Sequence, residues 1–263
     1  MSILISFTNF KGGTTKTSMC RELGFYLALK GNKVLLVDCD SQGNLSKSVL
    51  NEDKVYEGLY EAIEGLPYAE QEISENLYIL PGDFRLSLLD RRLVGEIDAY
   101  TRFKELFNQQ EYSLYDFILF DTAPSLNVLT TNALVVSNYF IIPMVTNQYS
   151  MQGTNDLMGA VSKIKKTLNP DLSILGVIIS SYDMVPLISR EIKEEITDCF
   201  GDVTFKTVIS KSIKFEEAVA RKTGVIHLRR LDKSRAKQEV ESLGEEFLSR
   251  ITLRDKKLPV TER

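Results

Sequence analysis

Short apolar runs alternate with longer amphipathic segments along most of this chain. The runs of strand length lie at residues 3–7, 34–37, 78–80, 117–120, 139–144, 174–180 and 205–209. Several are apolar at consecutive positions, which is typical of parallel strands covered on both faces. Between them, helical periodicity predicts helices at about 17–30, 98–109, 150–167, 188–200 and 235–251. The alternation predicts an α/β fold: one doubly wound, mostly parallel sheet flanked by helices.

The same pattern bears on domain organisation. It contains no internal repeat and no low-complexity linker, so we expect residues 1–263 to form a single domain. The first predicted strand begins at residue 3, and we therefore expect no N-terminal helix-turn-helix extension. The polar, irregular segment 43–75 predicts only short helices.

Composition limits where this chain is expected to act and which kinds of site it can form. A hydrophobic fraction of 43% and a charged fraction of 26% are ordinary for a soluble globular protein. No leader peptide and no apolar run of about 20 residues is present, so we expect a cytoplasmic protein without a membrane partner. Three cysteines without metal-ligand spacing and a single histidine argue against a disulfide framework, a zinc centre and histidine-based nucleophilic catalysis.

The segment NFKGGTTKTS, residues 9–18, joins the first predicted strand to the first predicted helix. Gly12 and Gly13 permit a tight turn whose backbone N–H groups can approach an anion at the helix N-terminus. Lys16 can reach nucleotide phosphates, and the Thr17 hydroxyl can coordinate Mg²⁺. The segment departs from the pattern G-x-x-x-x-G-K-[ST] at both glycine positions. It predicts a phosphate cradle with an altered rim, with a plain strand–helix turn as the alternative.

Carboxylates end two further apolar runs. VLLVDCDSQGN carries Asp38 and Asp40, and FILFDTAPS carries Asp121. Ligands bind beyond the carboxyl ends of strands in an open parallel sheet, so these side chains should share one edge with the glycine loop. A single such carboxylate can simply cap a helix or pair with a lysine. Three of them favour a site for a nucleotide with magnesium.

In order and separation, these three segments resemble the deviant Walker A, Walker A′ and Walker B segments of the ParA/Soj/MinD ATPases. The similarity continues through LGVIISSYD, FKTVISKSIKFEEA and LDKSRAKQEVESLGEEFLSRI, and thus covers nearly the whole chain. It is strongest for the ParA/Soj type. The resemblance implies an ATP- and Mg²⁺-dependent ATPase with slow turnover that acts in plasmid or chromosome partition.

The resemblance also implies catalytic roles. Lys11 corresponds to a signature lysine that reaches across a homodimer to the partner's nucleotide, and Lys16 to the ordinary loop lysine. Asp40 corresponds to the residue that positions the attacking water. The implied nucleotide contacts are Lys11, Gly12, Gly13, Thr14, Thr15, Lys16, Thr17, Ser18 and, near the adenine, Ser210.

For the metal, the resemblance implies direct coordination by Thr17 and orientation of magnesium-bound waters by Asp38 and Asp121. Thr15 is a departure, because the family has glycine there. If the loop requires a positive φ, a β-branched residue is strained by about 1–3 kcal/mol. We therefore expect slower hydrolysis, weaker nucleotide binding or a locally adjusted loop.

Residues 203–237 contain ten Lys and Arg against three acids, in a chain whose net charge is −4. On composition alone this is a solvated charged face. The resemblance implies sequence-independent DNA binding by the ATP-bound dimer, nucleoid association, and release when a ParB-like partner stimulates hydrolysis. The candidate DNA contacts are Arg190, Lys193, Lys211, Lys214, Arg221, Lys222, Arg229 and Arg230.

Two alternatives remain at this point: a MinD-like positioning ATPase bound to membranes, and a metabolic enzyme with a phosphate loop. The first would need an amphipathic C-terminal helix, yet Phe247, Leu248 and Ile251 fit the core-facing side of helix 235–251 better. The second would need a dedicated substrate site or, for a reductase, bridging cluster cysteines, and the sequence indicates neither.

Overall fold

A computed structural model describes residues 2–51, 53–146, 153–183, 187–228 and 234–255. Its strands are β1 Ile3–Phe7, β2 Val34–Asp38, β3 Gln71–Ser74, β4 Leu77–Leu80, β5 Phe117–Asp121, β6 Tyr139–Val145 and β7 Ser173–Ser180. They form one sheet in the order β3-β4-β2-β5-β1-β6-β7. All neighbours are parallel except β3, which runs antiparallel to β4 at the edge. The predicted fold class is confirmed.

Helices cover both faces of this sheet. They are α1 Lys16–Leu29, α2 Asn44–Val49, α3 Leu59–Glu64, α4 Arg85–Leu93, α5 Arg102–Phe107, α6 Val128–Val136, α7 Thr154–Thr167, α8 Leu187–Phe200, α9 Lys214–Ala220 and α10 Arg235–Asp255. Because side chains alternate across a strand, Leu36 of β2 packs with α1 and α10, while Leu35 and Val37 pack with α4, α5 and α6. Phe247 and Ile251 of α10 are buried in the first of these layers, as predicted.

The strand predicted at 205–209 is wrong. Isolated bridges to β7 flank this segment, Val177 with Thr204 and Tyr182 with Ser210, and its Phe205 and Ile209 N–H groups donate to the Val177 and Ile179 carbonyls without forming a strand. Between them, the N–H groups of Lys206 and Thr207 donate to the carboxylate of Glu246 on α10, at 2.9 Å each, instead of continuing a ladder. A side-chain acceptor from another element has replaced the strand partner.

Other differences concern helices. The helix predicted at 98–109 is confined to α5, and the helix predicted at 150–167 is described only from Thr154. The sequence pattern missed α6 because nearly every residue of VLTTNALVV is buried, so no polar face marks its period. Among the residues that the structure describes, no helix has the length and apolar character needed to cross a bilayer.

Candidate nucleotide-binding site

Three strands end side by side at one edge of the sheet. Phe7, the last residue of β1, is in register with Asp121 of β5, which is in register with Asp38 of β2. Cys39 N–H donates to the Asp121 carbonyl at 2.9 Å, and the Thr122 hydroxyl donates to the Phe7 carbonyl at 2.8 Å, which ties the three strand ends together. The loop after β1 and the carboxylates therefore lie at the same edge, as the strand pattern predicts.

A cavity of about 610 Å³ opens at this edge. It is lined by Gly12, Gly13, Thr14, Thr15, Lys16, Thr17, Ser18, Arg21, Asp40, Gln42, Asn44, Lys47, Ser48, Pro124 and Val219. Most of the candidate phosphate contacts are thus brought together. Ser210 lies outside this lining, and its N–H and hydroxyl both donate to the Glu239 carboxylate at 2.8 Å.

The loop takes the turn that its glycines permit. Gly13 has φ 71°, and Thr15, the residue before α1, has φ 64° and ψ 18°. The Thr14 hydroxyl closes the turn by donating to the Lys11 carbonyl at 3.2 Å, and the Asn9 amide anchors its start on the Pro143 carbonyl at 2.9 Å. The left-handed conformation on which the strain argument for Thr15 depends is therefore present.

Thr15 does not relieve this conformation by capping α1, because its side chain makes no cap hydrogen bond to the helix. Its hydroxyl donates to the Thr14 carbonyl at 2.6 Å and contacts the Ser180 hydroxyl at the end of β7. A β-branched residue in the left-handed region costs roughly 1–2 kcal/mol. The contact with Ser180 offsets part of that cost.

Lys16 is the buried cation of the site. Its side chain is largely covered, and its ammonium donates to the Lys11 carbonyl at 3.3 Å. Burial lowers the pKa of Lys16, while Asp121 and Asp40 act in the opposite direction. A buried ammonium is stabilised by opposite charge nearby, and a bound polyphosphate would supply that negative charge.

The arrangement of Asp121 fits a magnesium-bound water. Its Oδ2 accepts from the Thr17 hydroxyl at 2.7 Å, while its Oδ1 is buried and has no hydrogen-bond partner among the residues that the structure describes. Burial, with Asp38 nearby, raises the pKa of Asp121 well above its usual range. Within the described ranges, no group of three or more His, Cys, Asp or Glu side chains could hold a metal alone. Magnesium here would need nucleotide oxygens and water, which is its usual manner of binding.

The other two carboxylates differ in their surroundings. Asp38 is fully buried, and its oxygens accept from the Ser46 N–H at 2.8 Å, the Ser46 hydroxyl at 2.7 Å and the Asp40 N–H at 3.2 Å. Asp40 is half-buried, lines the cavity and accepts from the Gln42 N–H at 3.0 Å. Asp38 thus orders the start of α2, and Asp40 faces the cavity.

The sequence interpretation missed Arg21, which is buried and lines the cavity. Its signal was the helical period: Arg21 lies four residues after Thr17 and three after Ser18, so all three share one face of α1. An ion pair with Glu22, at 2.6 Å, holds its guanidinium.

The candidate DNA contacts lie on several elements. Lys214 begins α9 and Arg221 follows its end, and both pair with Glu217, at 2.9 and 3.1 Å. The Lys222 ammonium donates to the Lys47 carbonyl of α2. On α8, Arg190 is exposed and the Lys193 ammonium lies over the Tyr182 ring. Lys211 is exposed in the loop that precedes α9. Arg229 and Arg230 lie outside the described residues.

Similarity to known proteins agrees with this geometry. The AAA domain family matches residues 2–174. The chromosome-partitioning ATPase Soj of Treponema pallidum is 34% identical over 224 residues, covering 83% of this chain and 87% of Soj.

Two solved structures share the fold at 24% identity. A Borrelia burgdorferi plasmid partition protein bound to AMPPNP gives a TM-score of 0.76, with 95% of this chain and 99% of that chain covered. Cobyrinic acid a,c-diamide synthase of Mycobacterium smegmatis, with an ATP analogue and magnesium, gives 0.82, with 98% and 99% covered.

Proposed function

This chain belongs to the Soj/ParA family of partition ATPases, and from that premise we propose that it binds ATP with Mg²⁺, dimerises and carries DNA during plasmid or chromosome partition. The observation that supports this most directly is the cavity at the sheet edge, which the whole segment Gly12–Ser18 lines beside Asp40. The cytoplasmic, nucleoid-associated location that the family resemblance implies is part of the same proposal.

The nucleotide phosphates would lie against the N-terminus of α1, where the loop N–H groups and the helix dipole favour an anion. Lys16 would bind the β- and γ-phosphates, and the loop from Lys11 to Ser18 would surround them. The Thr17 hydroxyl would be the direct magnesium ligand. Asp121, through its buried Oδ1, and Asp38 would hold magnesium-bound waters. The metal supplies neutralisation of charge on the phosphate oxygens.

Hydrolysis of this kind requires little covalent chemistry from the protein, so positioning and electrostatics carry it. Asp40, which lines the cavity, would orient the attacking water. Lys16 stabilises the charge that develops on the transferred phosphoryl group. A ParB-like partner would accelerate this step and release the complex from DNA.

Lys11 is assigned to the facing protomer's nucleotide. Its backbone carbonyl accepts from Thr14 and Lys16, which fixes the loop, while its side chain is absent from the lining of its own cavity in the part of the chain described. A second ammonium brought across a dimer would act on the phosphates as an arginine finger does.

Thr15→Gly is expected to raise the rate of ATP hydrolysis a few-fold. Relief of left-handed strain gains roughly 1–2 kcal/mol, and loss of the Ser180 contact costs about 0.5–1.5 kcal/mol. The free energy of unfolding should therefore change little, while the loop becomes easier to close around phosphates. Phosphate release under saturating ATP measures the rate. Asn76→Gly is the control, because Asn76 also has a positive φ, 63°, but lies between β3 and β4 outside the cavity lining, so relief of its strain should leave the rate unchanged. A Thr15→Gly enzyme no faster than the parent would show that threonine carries no kinetic cost.

DNA binding would use the basic residues on α8, α9 and the loop between them. Lys214 and Arg221 share Glu217 as an ion-pair partner, so these three side chains together carry a net charge of +1 even when both bases are paired. Exposed pairs of this type contribute about 0.3–0.5 kcal/mol to stability, which makes the residues available to phosphates at little cost. Dimerisation would double the number of contacts.

Reversing both charges, K214E with R221E, is expected to reduce DNA affinity about 100-fold or more near 0.1 M salt and to leave the ATP-dependent dimer intact. Each lost phosphate contact should also flatten the dependence of log affinity on log salt by about 0.9. A gel shift with ATP or ADP across a salt series measures affinity, and light scattering measures the dimer.

K165E with K166E is the matched control, since it makes the same change in net charge on exposed positions at the end of α7. It should weaken DNA binding much less. Equal losses in both double variants would mean that only overall charge matters, and no ATP-dependent shift in the parent would contradict the proposed function itself.

The membrane alternative is disfavoured by the packing of α10. Val240, Leu243 and Phe247 are buried against α1 and the sheet or beside α9, so its apolar side is already covered by protein. The metabolic alternative has no specific observation in its favour, because the likeness to the synthase is one of fold.

A further inference from the structure

Two adjacent residues of α1 form a buried ion pair. The side chains of Arg21 and Glu22 are 2% and 0% exposed, and Arg21 Nε and Nη2 donate to Glu22 Oε1 at 3.1 and 2.6 Å. Neighbouring residues on a helix do not normally face each other, and burying two charges carries a large desolvation cost. Such a pair calls for a role beyond stability.

Arg21 reaches the cavity from the same helix face as Thr17 and Ser18. A guanidinium carries five N–H donors. The hydrogen bonds described for Arg21 use Nε and Nη2, with Glu22 and, at 3.4 Å, the Phe215 carbonyl as acceptors. The two donors of Nη1 lie outside these bonds and are suited to oxygen atoms of a ligand in the cavity.

Glu22 extends the connection away from the cavity. Its Oε2 accepts from the Val225 N–H at 2.7 Å, so the pair fastens both Phe215 and Val225 to α1. Phe215 lies in the first turn of α9 and Val225 follows this helix, whose residue Val219 also lines the cavity. The fit is close, since a Cβ added at Gly224 would stand 2.6 Å from the Phe25 ring.

We infer that Arg21 binds phosphate or sugar oxygens of the nucleotide, that Glu22 positions it, and that the pair transmits nucleotide occupancy to residues 215–225. This rests on the proposed function, because it assumes that the cavity takes ATP. The connection through Arg21 and Glu22 would hold the basic helix α9 more firmly when ATP is bound. DNA binding would thereby depend on the nucleotide.

The first test compares ATP affinity by calorimetry. Arg21→Gln should weaken ATP binding about 10- to 100-fold, as expected for loss of a charge-assisted bond, and Arg21→Lys should recover part of it. Arg250→Gln is the matched control. Arg250 pairs with Glu246 and donates to the carbonyls of Val203 and Thr204, but it does not line this cavity. It should lose thermal stability and keep ATP affinity within about twofold of the parent.

The second test uses the parent chain, so it does not depend on a variant's folding. Hydrogen exchange of the Val225 amide should slow about tenfold or more with saturating ATP. The reason is that ATP, if it binds only when residues 215–225 are packed on α1, lowers the population of the state in which this segment is open. In Glu22→Gln, the ATP effect on this amide should largely disappear.

The outcomes separate the two claims. If Lys16→Ala loses ATP while Arg21→Gln binds like the parent, or if ATP binds without slowing Val225 exchange, this inference is overturned and the proposed function stands. If the parent does not bind ATP, both fail.

Discussion

Lys16→Ala is expected to abolish ATP–Mg²⁺ binding while leaving the fold in place. The ammonium is buried beside the loop carbonyl of Lys11, near Asp121 and Asp40, so its removal takes a positive charge from the place where the phosphates would bind. Truncating one partner of a buried charge pair costs about 2–5 kcal/mol or more, which at 3 kcal/mol is roughly 100-fold in Kd. The hydrophobic layers on both sides of the sheet do not include this side chain.

Calorimetry with ATP and Mg²⁺ measures the affinity, and a thermal melt without nucleotide verifies the fold. Lys30→Ala is the matched control, because Lys30 follows the same helix at its opposite end and is exposed. Its affinity should equal that of the parent. An unchanged Kd for Lys16→Ala would show that the glycine loop is a plain strand–helix turn and that ATP, if bound, lies elsewhere.

Lys11→Ala is expected to leave ATP binding by the monomer largely intact and to prevent the ATP-dependent dimer, and with it DNA binding at moderate salt. The reason is positional. The Lys11 backbone holds the loop through its carbonyl, which alanine retains, whereas its side chain does not line the cavity that it would otherwise serve. The contact with a facing nucleotide would be lost, while the loop keeps the hydrogen bonds that the Lys11 carbonyl accepts.

Three measurements on one preparation separate these effects: calorimetry for ATP, light scattering for the dimer and a gel shift for DNA. Lys33→Ala is the control, since Lys33 precedes β2 and lies at the opposite edge of the sheet. It should behave like the parent in all three. A Lys11→Ala protein that dimerises and binds DNA normally would mean that Lys11 does not act on the nucleotide of the facing protomer.

Lys16→Ala and Lys11→Ala should fail at different measurements, which makes their comparison informative. Lys16→Ala should fail at the first measurement, and Lys11→Ala should pass it and fail at the second. The K214E with R221E variant should pass both and fail only with DNA. This order follows from where the side chains lie: in the cavity, beside it, and on α9.

The sequence by itself determined the strands that build the site. β1, β2 and β5 are buried on both faces, so their apolar runs stand out without knowledge of their partners. Because parallel strands present their carboxyl ends at one edge, Asp38, Asp121 and the glycine loop could be placed together from the pattern. The motif likewise pointed to Thr15 as the position where a positive φ would be strained.

Tertiary structure decided what depends on partners distant in the chain. The segment 205–209 looks like a strand, but Glu246 takes the N–H groups that a neighbouring strand would need. Ser210, which the resemblance assigns near the adenine, donates its N–H and hydroxyl to Glu239 of α10, a contact that the local pattern does not show. Arg21 is held at the cavity by its ion pair with Glu22 and by its bond to the Phe215 carbonyl. Glu22 is held in turn by the Val225 N–H. A local pattern shows which residues will be buried, whereas the acceptor that each buried donor finds is set only when the chain has folded.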